Sequence, residues 1–283
     1  MKNLGKSYTI EATRYQATPL MITAMAVGEL DVGLLNSTSL SLGVENAGME
    51  DLRVFADEFR DGVEGYGTNQ FMARAETRTP ADLKGKTLAS NAIGSMVDIA
   101  MRGWLRKSGL EDKRDYNVVE SGLNTMKAIL QEKKVDLVPS VPPFLFDPEL
   151  AKFAHPLFSQ RDAMGASELG VWAAKDSFLK KNRAAIVDML EDTMIATRWF
   201  NDPANHDEAV KIVVETTKAP AALFGDWIFT RKDYFRDGKL VPDVAAMQAN
   251  IDLQGQLGFL KGKMDVKKFV DLSYVEEAGK RAK

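Results

Sequence analysis

Short apolar strands alternate with helices along the first half of this 283-residue chain. Residues Tyr8–Tyr15 alternate apolar and polar side chains as a strand does. Thr18–Gly28 has a helical pattern, with Thr18 as N-cap and Gly28 as the stop, and Leu30–Leu35 is a short buried strand. Because parallel strands are joined by crossover helices, the alternation predicts an α/β fold with mostly parallel sheets flanked by helices.

A second unit of the same kind begins near Thr79. From about Ser177 onwards the chain is predicted to be almost entirely helical. Its first helix is predicted from Ser95 to Ser108. The other predicted strands are Leu52–Ala56, Gln70–Arg74, Thr87–Ser90, Asn117–Glu120, Val135–Val138 and Glu168–Ala174. The later helices are predicted at Thr125–Lys134, Asn182–Phe200 and Val241–Leu257, with a further one opened by a capping box at Asn205–Glu208.

The composition excludes several classes of site. There is no cysteine, which rules out disulfides, thiolate metal sites and a cysteine nucleophile, and the two histidines are not spaced as metal ligands. The net charge of −3 comes from scattered, balanced charges, so no nucleic-acid partner is expected. No cofactor or metal site is predicted. The longest apolar runs are too short for a membrane span, and no signal peptide follows Met1.

Polar residues follow four of the predicted strands, where helices begin. Parallel sheets bind ligands at this edge, because free backbone N–H groups and the positive helix end favour anions and polar acceptors. The candidate ligand-binding residues at these starts are Asn36, Ser37, Thr38, Asn91, Gly94, Ser95, Met96, Ser121, Ser140 and Pro142. Simple helix capping explains each start taken alone. Four of them at matching positions favour a ligand cleft.

Phe59 and Arg60 complete the candidate set, because they follow a strand edge within an acidic segment and could face the cleft. No catalytic constellation accompanies these residues. The segment Asn91–Met96 lacks the glycine pattern and the lysine of phosphate-binding loops, and no G-x-S-x-G elbow occurs.

Several segments resemble the type II periplasmic solute-binding proteins of the nitrate, sulfonate and taurine group. The run AMAVGELDVGLLNSTSL is similar to the family's helix, G-E-I-D-V-G and polar loop. TPADLKGKTLASNAIGSMVDIAMRGWLRKSGL is similar to the segment that opens the second lobe, and its D-L-K-G-K element is the most specific part. KVDLVPSVPPF and DLQGQLGFLKGKMDVKKFVDLSYVEEA resemble later family segments, so the likeness covers almost the whole chain.

The resemblance implies two lobes that hold a solute between facing helix N-termini. Lobe one would comprise residues 1–74 and 172–283, and lobe two residues 75–171, with crossings near Phe71–Arg74 and Gly170–Ala174. The family implies a monomeric, non-enzymatic, periplasmic subunit of an ABC importer, which delivers a small polar or anionic solute to a permease. The solute would be of the sulfonate, taurine, nitrate or carboxylate type.

Two features depart from the family pattern. The family's first strand–helix unit has no counterpart before Tyr8, so an N-terminally truncated chain is expected. In the family's W-x-P-F loop, Val141 stands in place of Trp. The alternatives are an enzyme on the same fold, of the pyrimidine-precursor or menaquinone-pathway type, and a ligand-sensing domain of a regulator.

Overall fold

A computed structural model describes residues 1–282, which contain eight strands and ten α-helices. The strands are β1 (Val32–Leu35), β2 (Leu52–Asp61), β3 (Gln70–Arg74), β4 (Lys86–Ser90), β5 (Tyr116–Glu120), β6 (Leu137–Ser140), β7 (Ala154–Ser159) and β8 (Ser167–Lys175). The helices are α1 (Thr18–Val27), α2 (Ser37–Ala47), α3 (Met96–Lys107), α4 (Met126–Gln131), α5 (Gln160–Met164), α6 (Asp176–Lys181), α7 (Arg183–Asn201), α8 (His206–Thr217), α9 (Val244–Gln256) and α10 (Ser273–Arg281).

The strands form two sheets, with the orders β1-β8-β2 and β5-β4-β6-β3-β7. The chain passes from the first sheet to the second after Asp61 and returns before Ser167. We call residues 62–69 the outgoing passage and residues 160–166 the return passage. The predicted α/β fold is confirmed, and β4 pairs in parallel with β5 and β6.

The other four strand pairings are antiparallel, which the sequence pattern did not predict. β8 runs between β1 and β2 and opposes both of them, so β1 and β2 are parallel to each other but not adjacent. β3 opposes β6 and β7 in the same way. The chain enters β3 from the first sheet and β8 from the second sheet. Each of these two strands runs antiparallel to its neighbours in the sheet that it joins.

Each sheet has an apolar cluster on both faces, because successive strand residues point to opposite sides. In the first sheet, Val54 packs with α1, α2 and α9, whereas Phe55 packs with α7 and α10. In the second sheet, Phe71 packs with α3, and Met72 packs with α4. Helices therefore cover both sheets, and the carboxyl ends of the strands remain for loops and helix starts.

Four local predictions are wrong. Residues 9–15 have no regular secondary structure, so the strand at Tyr8–Tyr15 does not form. Thr18 is the first residue of α1, whose N-cap is Ala17. Asn205 makes no side-chain cap, because its backbone is not extended and its amide donates to Trp199 instead. The segment after Pro142 forms a 3₁₀ turn rather than an α-helix.

Candidate functional site

The start of α2 is built from a network of short polar side chains. The Asn36 side chain accepts the backbone N–H of Ser39 at 2.8 Å, and Ser39 accepts the N–H of Asn36 at 3.0 Å, which forms a reciprocal cap. The Thr38 hydroxyl donates to Asn36 Oδ1 at 2.8 Å. Asn36 is 4% exposed, and Ser37 and Thr38 are fully buried. The capping part of the prediction is confirmed at this helix start.

Helix α9 packs against α2 through two amides that the sequence analysis missed. Ser37 donates its hydroxyl to Asn250 Oδ1 at 3.0 Å. Gln254, one helical turn later, donates to the carbonyl of Thr38 at 3.0 Å and accepts the hydroxyl of Ser41. Both amides are fully buried. We call this pair of contacts the α2–α9 polar ladder.

The start of α3 carries the second group of predicted residues. Ser95 caps α3 by accepting the N–H of Asp98 at 3.4 Å, and its hydroxyl donates to Asn91 at 2.7 Å. The N–H of Gly94 donates to the Asp98 carboxylate at 2.9 Å. Ser95 and Met96 are almost fully buried, and Asn91 is half-buried.

The structure places the remaining second-sheet candidates along the same edge. The N–H of Ser121 donates to the carbonyl of Ser90 at 2.9 Å, which joins the ends of β5 and β4. Ser140, the last residue of β6, is 3% exposed and pairs with Gln70. Pro142 is half-buried two residues farther on. Asn91 to Met96, Ser121, Ser140 and Pro142 therefore follow the carboxyl ends of neighbouring strands, as predicted.

The edge of the second sheet that carries these residues lies against helices that pack on the first sheet. A β-carbon placed on Gly94 would lie 3.2 Å from Leu42 of α2 and 3.8 Å from Phe259, which follows α9. Gly122, beside Ser121, lies close to the amide of Gln16, just before α1. The polar starts of α2 and α3 thus belong to two helices that contact each other across the two sheets.

Phe59 and Arg60 have a different environment from the other candidates. Phe59 lies over Gly170 of β8 and stacks on Tyr234 with the ring centroids 5.2 Å apart. Arg60 pairs with Glu168 at 2.9 Å and with Asp57 at 3.1 Å, and it also donates to the carbonyl of Val241. The charge of Arg60 is therefore engaged by carboxylates of its own chain.

The carboxyl groups of Asp57 and Glu168, beside Arg60, are buried and have raised pKa values. Burial raises the pKa of Asp57 well above its usual range, and the neighbouring Glu168 carboxylate raises it further. Burial also raises the pKa of Glu168, while the Arg60 guanidinium lowers it. These groups join β2 to β8, near the two passages between the sheets.

Two surface concavities lie away from the predicted residues. One, of about 230 Å³, lies between α3 and the end of α9, where Arg102, Arg106 and Phe259 line it. The other, of about 570 Å³, runs along α9 and includes Gln248 and Lys267. The two arginines already pair with acidic neighbours, Asp98 and Glu111 among them. Neither concavity contains a predicted residue, and the candidate site is therefore the set of helix starts.

Within residues 1–282, no three His, Cys, Asp or Glu side chains form a group that could hold a metal ion. None of the helices over the same residues has the length and hydropathy of a membrane span.

The two sheets and the polar edge define the class: an α/β protein with the two-lobed periplasmic-binding-protein fold. The aliphatic sulphonate-binding protein SsuA from Escherichia coli matches at 20% identity over 92% of this chain and 86% of that chain, with a TM-score of 0.70. The nitrate-binding protein NrtA from Synechocystis matches at 13% identity over 96% and 80%, with a TM-score of 0.73. A mutant of DSZB in complex with biphenyl-2-sulfinic acid matches at 13% over 94% and 90%, with a TM-score of 0.65.

At these identities the solved structures establish the fold alone. The sequence model of the NMT1-like family matches residues 2–214, and the chain therefore belongs to the NMT1-like family. The resemblance to the nitrate, sulfonate and taurine group is confirmed by this match and by the solved structures. No curated protein matches the sequence.

Proposed function

We propose that this protein is the solute-binding subunit of an ABC importer and holds a small solute between its two sheets. The observation that carries the proposal is the burial of two polar helix starts, at Asn36–Thr38 and at Gly94–Met96, on helices that contact each other. Buried polar groups are costly unless a partner satisfies them, so an interface of this kind suits a polar ligand. The solved relatives named as sulphonate- and nitrate-binding proteins support the same function.

The solute class that fits this site is a small polar or anionic organic molecule, of the sulfonate, taurine, nitrate or carboxylate type. The starts of α2 and α3 offer N–H, hydroxyl and amide donors, and helix N-termini favour negative charge. Arg60 pairs with Asp57 and Glu168, so we place its side chain at the edge of the binding site and not against the charged group of the solute. The proposed contacts are the predicted ones: Asn36, Ser37, Thr38, Phe59, Arg60, Asn91, Gly94, Ser95, Met96, Ser121, Ser140 and Pro142.

The importer function implies a hinge and a membrane partner. We propose the two-lobe division expected from the resemblance, residues 1–74 and 172–283 against 75–171, with its boundaries moved to the two passages, which form the hinge. The boundaries move because β3 (Gln70–Arg74) lies in the second sheet and β8 (Ser167–Lys175) in the first. The partner would be an ABC permease, met in the periplasm by a monomeric subunit. Two separate sheets that two passages join within residues 1–282 support a two-lobed division with the hinge at those passages.

An enzyme on the same scaffold is the second candidate, because the desulfurization enzyme DSZB shares the fold. The distinguishing property is turnover. A binding protein returns its solute unchanged, whereas an enzyme depletes the substrate and forms product. Incubation of the protein with each bound compound, followed by mass spectrometry, separates the two functions.

A thermal-shift screen against sulfonates, taurine, nitrate, carboxylates and pyrimidines tests the proposal. A solute at one hundred times its dissociation constant should stabilise the folded protein by about 2.7 kcal/mol. Ser95→Ala should reduce the shift, and Ser108→Ala, at the other end of α3, should leave it unchanged. Turnover of a compound that gives no shift would contradict the binding function.

A further inference from the structure

One aromatic stack joins the two sheets outside the two passages. Phe146 lies in the turn after β6, and Trp227 lies in the connection between α8 and α9, residues 218–243. Their ring centroids are 5.2 Å apart, and the ring planes are inclined by 22°. Of the aromatic pairs within residues 1–282, this one alone joins a loop of the second sheet to the α8–α9 connection. We call it the Phe146–Trp227 stack.

The turn that carries Phe146 is fixed to the second sheet. The preceding residue, Leu145, packs in the apolar cluster that contains Met72 of β3. The following residue, Asp147, pairs with Lys127 of α4 at 2.5 Å. Phe146 itself is 37% exposed. Its neighbours therefore hold the ring on the second lobe, although the packing of the ring is incomplete.

Trp227 is fixed to the other lobe. The carbonyl of the next residue, Ile228, lies 3.1 Å from Nε2 of His206 at the start of α8. Phe229 stacks on Phe200 of α7 with the ring centroids 4.3 Å apart. In contrast to Phe146, Trp227 is only 7% exposed. The two stacked rings are therefore carried by anchors on different lobes.

We propose that the Phe146–Trp227 stack is a latch that holds the two lobes closed over the solute. Because each ring moves with its own lobe, opening at the passages separates the rings. Opening also exposes the indole of Trp227, and a stacked aromatic pair adds stabilisation beyond the apolar area that it buries. The latch rests on the proposed hinge and adds to it a contact that favours the closed form with or without solute.

Pulsed electron resonance between two spin labels tests the latch in the absence of solute. The chain has no cysteine, so Glu132→Cys beside α4 and Lys211→Cys on α8 provide unique, exposed labelling positions on the two lobes. Phe146→Ala removes one ring and should shift the label distances towards longer values. Phe146→Tyr keeps the ring and should leave the distances unchanged.

Phe144→Ala is the matched control for both the label distances and solute binding. Phe144 lies in the same turn as Phe146 and is 38% exposed, which is almost the same exposure. Within residues 1–282 it stacks on no other ring. The label distances of Phe144→Ala should therefore match those of the labelled protein without this change.

Calorimetric titration and stopped-flow release measure the effect of the latch on solute binding. The probes are ethanesulfonate, taurine, propionate and nitrate. A contact made only in the closed form slows release, so Phe146→Ala should weaken binding of the probe that binds by about 2- to 10-fold, mainly through faster dissociation. Trp227→Leu should have the same effect, whereas Trp227→Phe, which keeps a ring, should stay within about twofold of the unmodified protein.

The outcomes separate the latch from the broader function. If neither a probe nor Phe146→Ala changes the label distances, the hinge and the latch are both wrong. If a probe shortens the distances and Phe146→Ala leaves them unchanged, the latch alone is wrong, and equal affinity of Phe146→Ala and the unmodified protein would also contradict it. If Phe146→Ala lengthens the distances and no probe binds, the latch is supported and the proposed solute class is wrong. Phe146→Leu, which keeps an apolar side chain and removes the ring, replaces Phe146→Ala if that variant does not fold.

Discussion

Asp61 lies at one end of a buried hydrogen-bonded chain that joins the two passages between the sheets. Its carboxylate accepts the N–H of Asn69 at 3.1 Å, and the Asn69 amide donates to Gln160 at 3.0 Å. Gln160 in turn donates to Ser167 at 3.0 Å. Burial raises the pKa of Asp61 to about 6, against lowering by its hydrogen bonds. A buried carboxyl group with a raised pKa therefore stands where the outgoing passage leaves β2.

The pH dependence of stability should reveal this group. A carboxyl group whose folded pKa is raised stabilises the fold fully below its ordinary value of 3.8, and this contribution is lost as pH rises through about 6. The rise corresponds to about 3 kcal/mol as an upper limit. Asp61→Asn should therefore be about as stable as the unmodified protein at pH 4 and more stable at pH 8. Urea denaturation across this range measures the difference, and Glu215→Gln on exposed α8 is the control.

Arg60 is the only cation paired with both Asp57 and Glu168 over residues 1–282. Both carboxyl groups are fully buried, and the Arg60 side chain is 14% exposed. Removal of one partner from a buried ion pair leaves an uncompensated charge. The charge balance of this cluster between β2 and β8 therefore depends on one guanidinium.

Arg60→Met should reduce the free energy of unfolding by about 3–5 kcal/mol at pH 8. The loss should be smaller at pH 5, because the raised pKa values of Asp57 and Glu168 allow these groups to take up protons. Arg60→Met/Asp57→Asn should recover part of the loss, since it removes one of the unpaired charges. An equal loss at both pH values would mean that packing of the Arg60 side chain, not its charge, is responsible.

At the scale of secondary structure, the sequence predicted an element correctly wherever the contacts that stabilise this element are made by residues close to it in the chain. The caps at Asn36 and Ser95 use residues within a few positions, and both were predicted. The predicted strand at Tyr8–Tyr15 does not form, and the contacts of the segment that precedes it are made with a distant residue. Asp192 of α7 accepts the N–H groups of Lys2, Asn3 and Leu4 and the Tyr8 hydroxyl. This contact spans at least 184 residues, so no local pattern could indicate it, and residues 9–15 beyond it have no regular secondary structure.

In the candidate site, too, the sequence indicated the residues whose contacts are local and missed those whose contacts are distant. The polar helix starts are visible in the sequence, since each start follows a strand directly. Asn250 and Gln254 could not be predicted from the sequence, because their partners lie 213 or more residues earlier. Two polar residues four positions apart, which place their side chains on one face of α9, are the signal that could have indicated them.

The outgoing passage depends on a glycine at close range. A β-carbon on Gly67 would lie 2.0 Å from the carbonyl oxygen of Lys232, whose segment covers the passage. Gly67→Ala should therefore lower the free energy of unfolding by about 1–3 kcal/mol, as overpacking does. Gly255→Ala is the matched control within α9, where nothing lies within 4 Å, and it should stabilise the protein by about 0.5–1 kcal/mol. Chemical denaturation of the two variants checks the opposite signs.

At the scale of the whole molecule, α3 and α9 connect the two sheets. Gly103 of α3 lies against Leu253 of α9, with its β-carbon position 3.1 Å from a leucine methyl. Arg102 lies 5.6 Å from the centre of the Phe259 ring, and Arg106 donates to the carbonyl of Gln256. The absence of a side chain on Gly103 allows the two helices to approach. This contact lies beyond the polar starts of α2 and α3, so it should control how closely those starts face each other.

A bulky residue at this contact should therefore hold the two sheets apart. Gly103→Phe should separate α3 from α9, raise the radius of gyration above the roughly 19 Å expected for a compact chain of this length, and weaken solute binding by about tenfold or more. Small-angle scattering and calorimetry measure the two effects together. Gly279→Phe adds the same ring to α10, where nothing lies within 4 Å of the glycine, and should change neither quantity. If the molecule expands and its affinity for the solute is unchanged, the approach of α2 to α3 is not required for binding. The solute would then depend on the start of α2 alone.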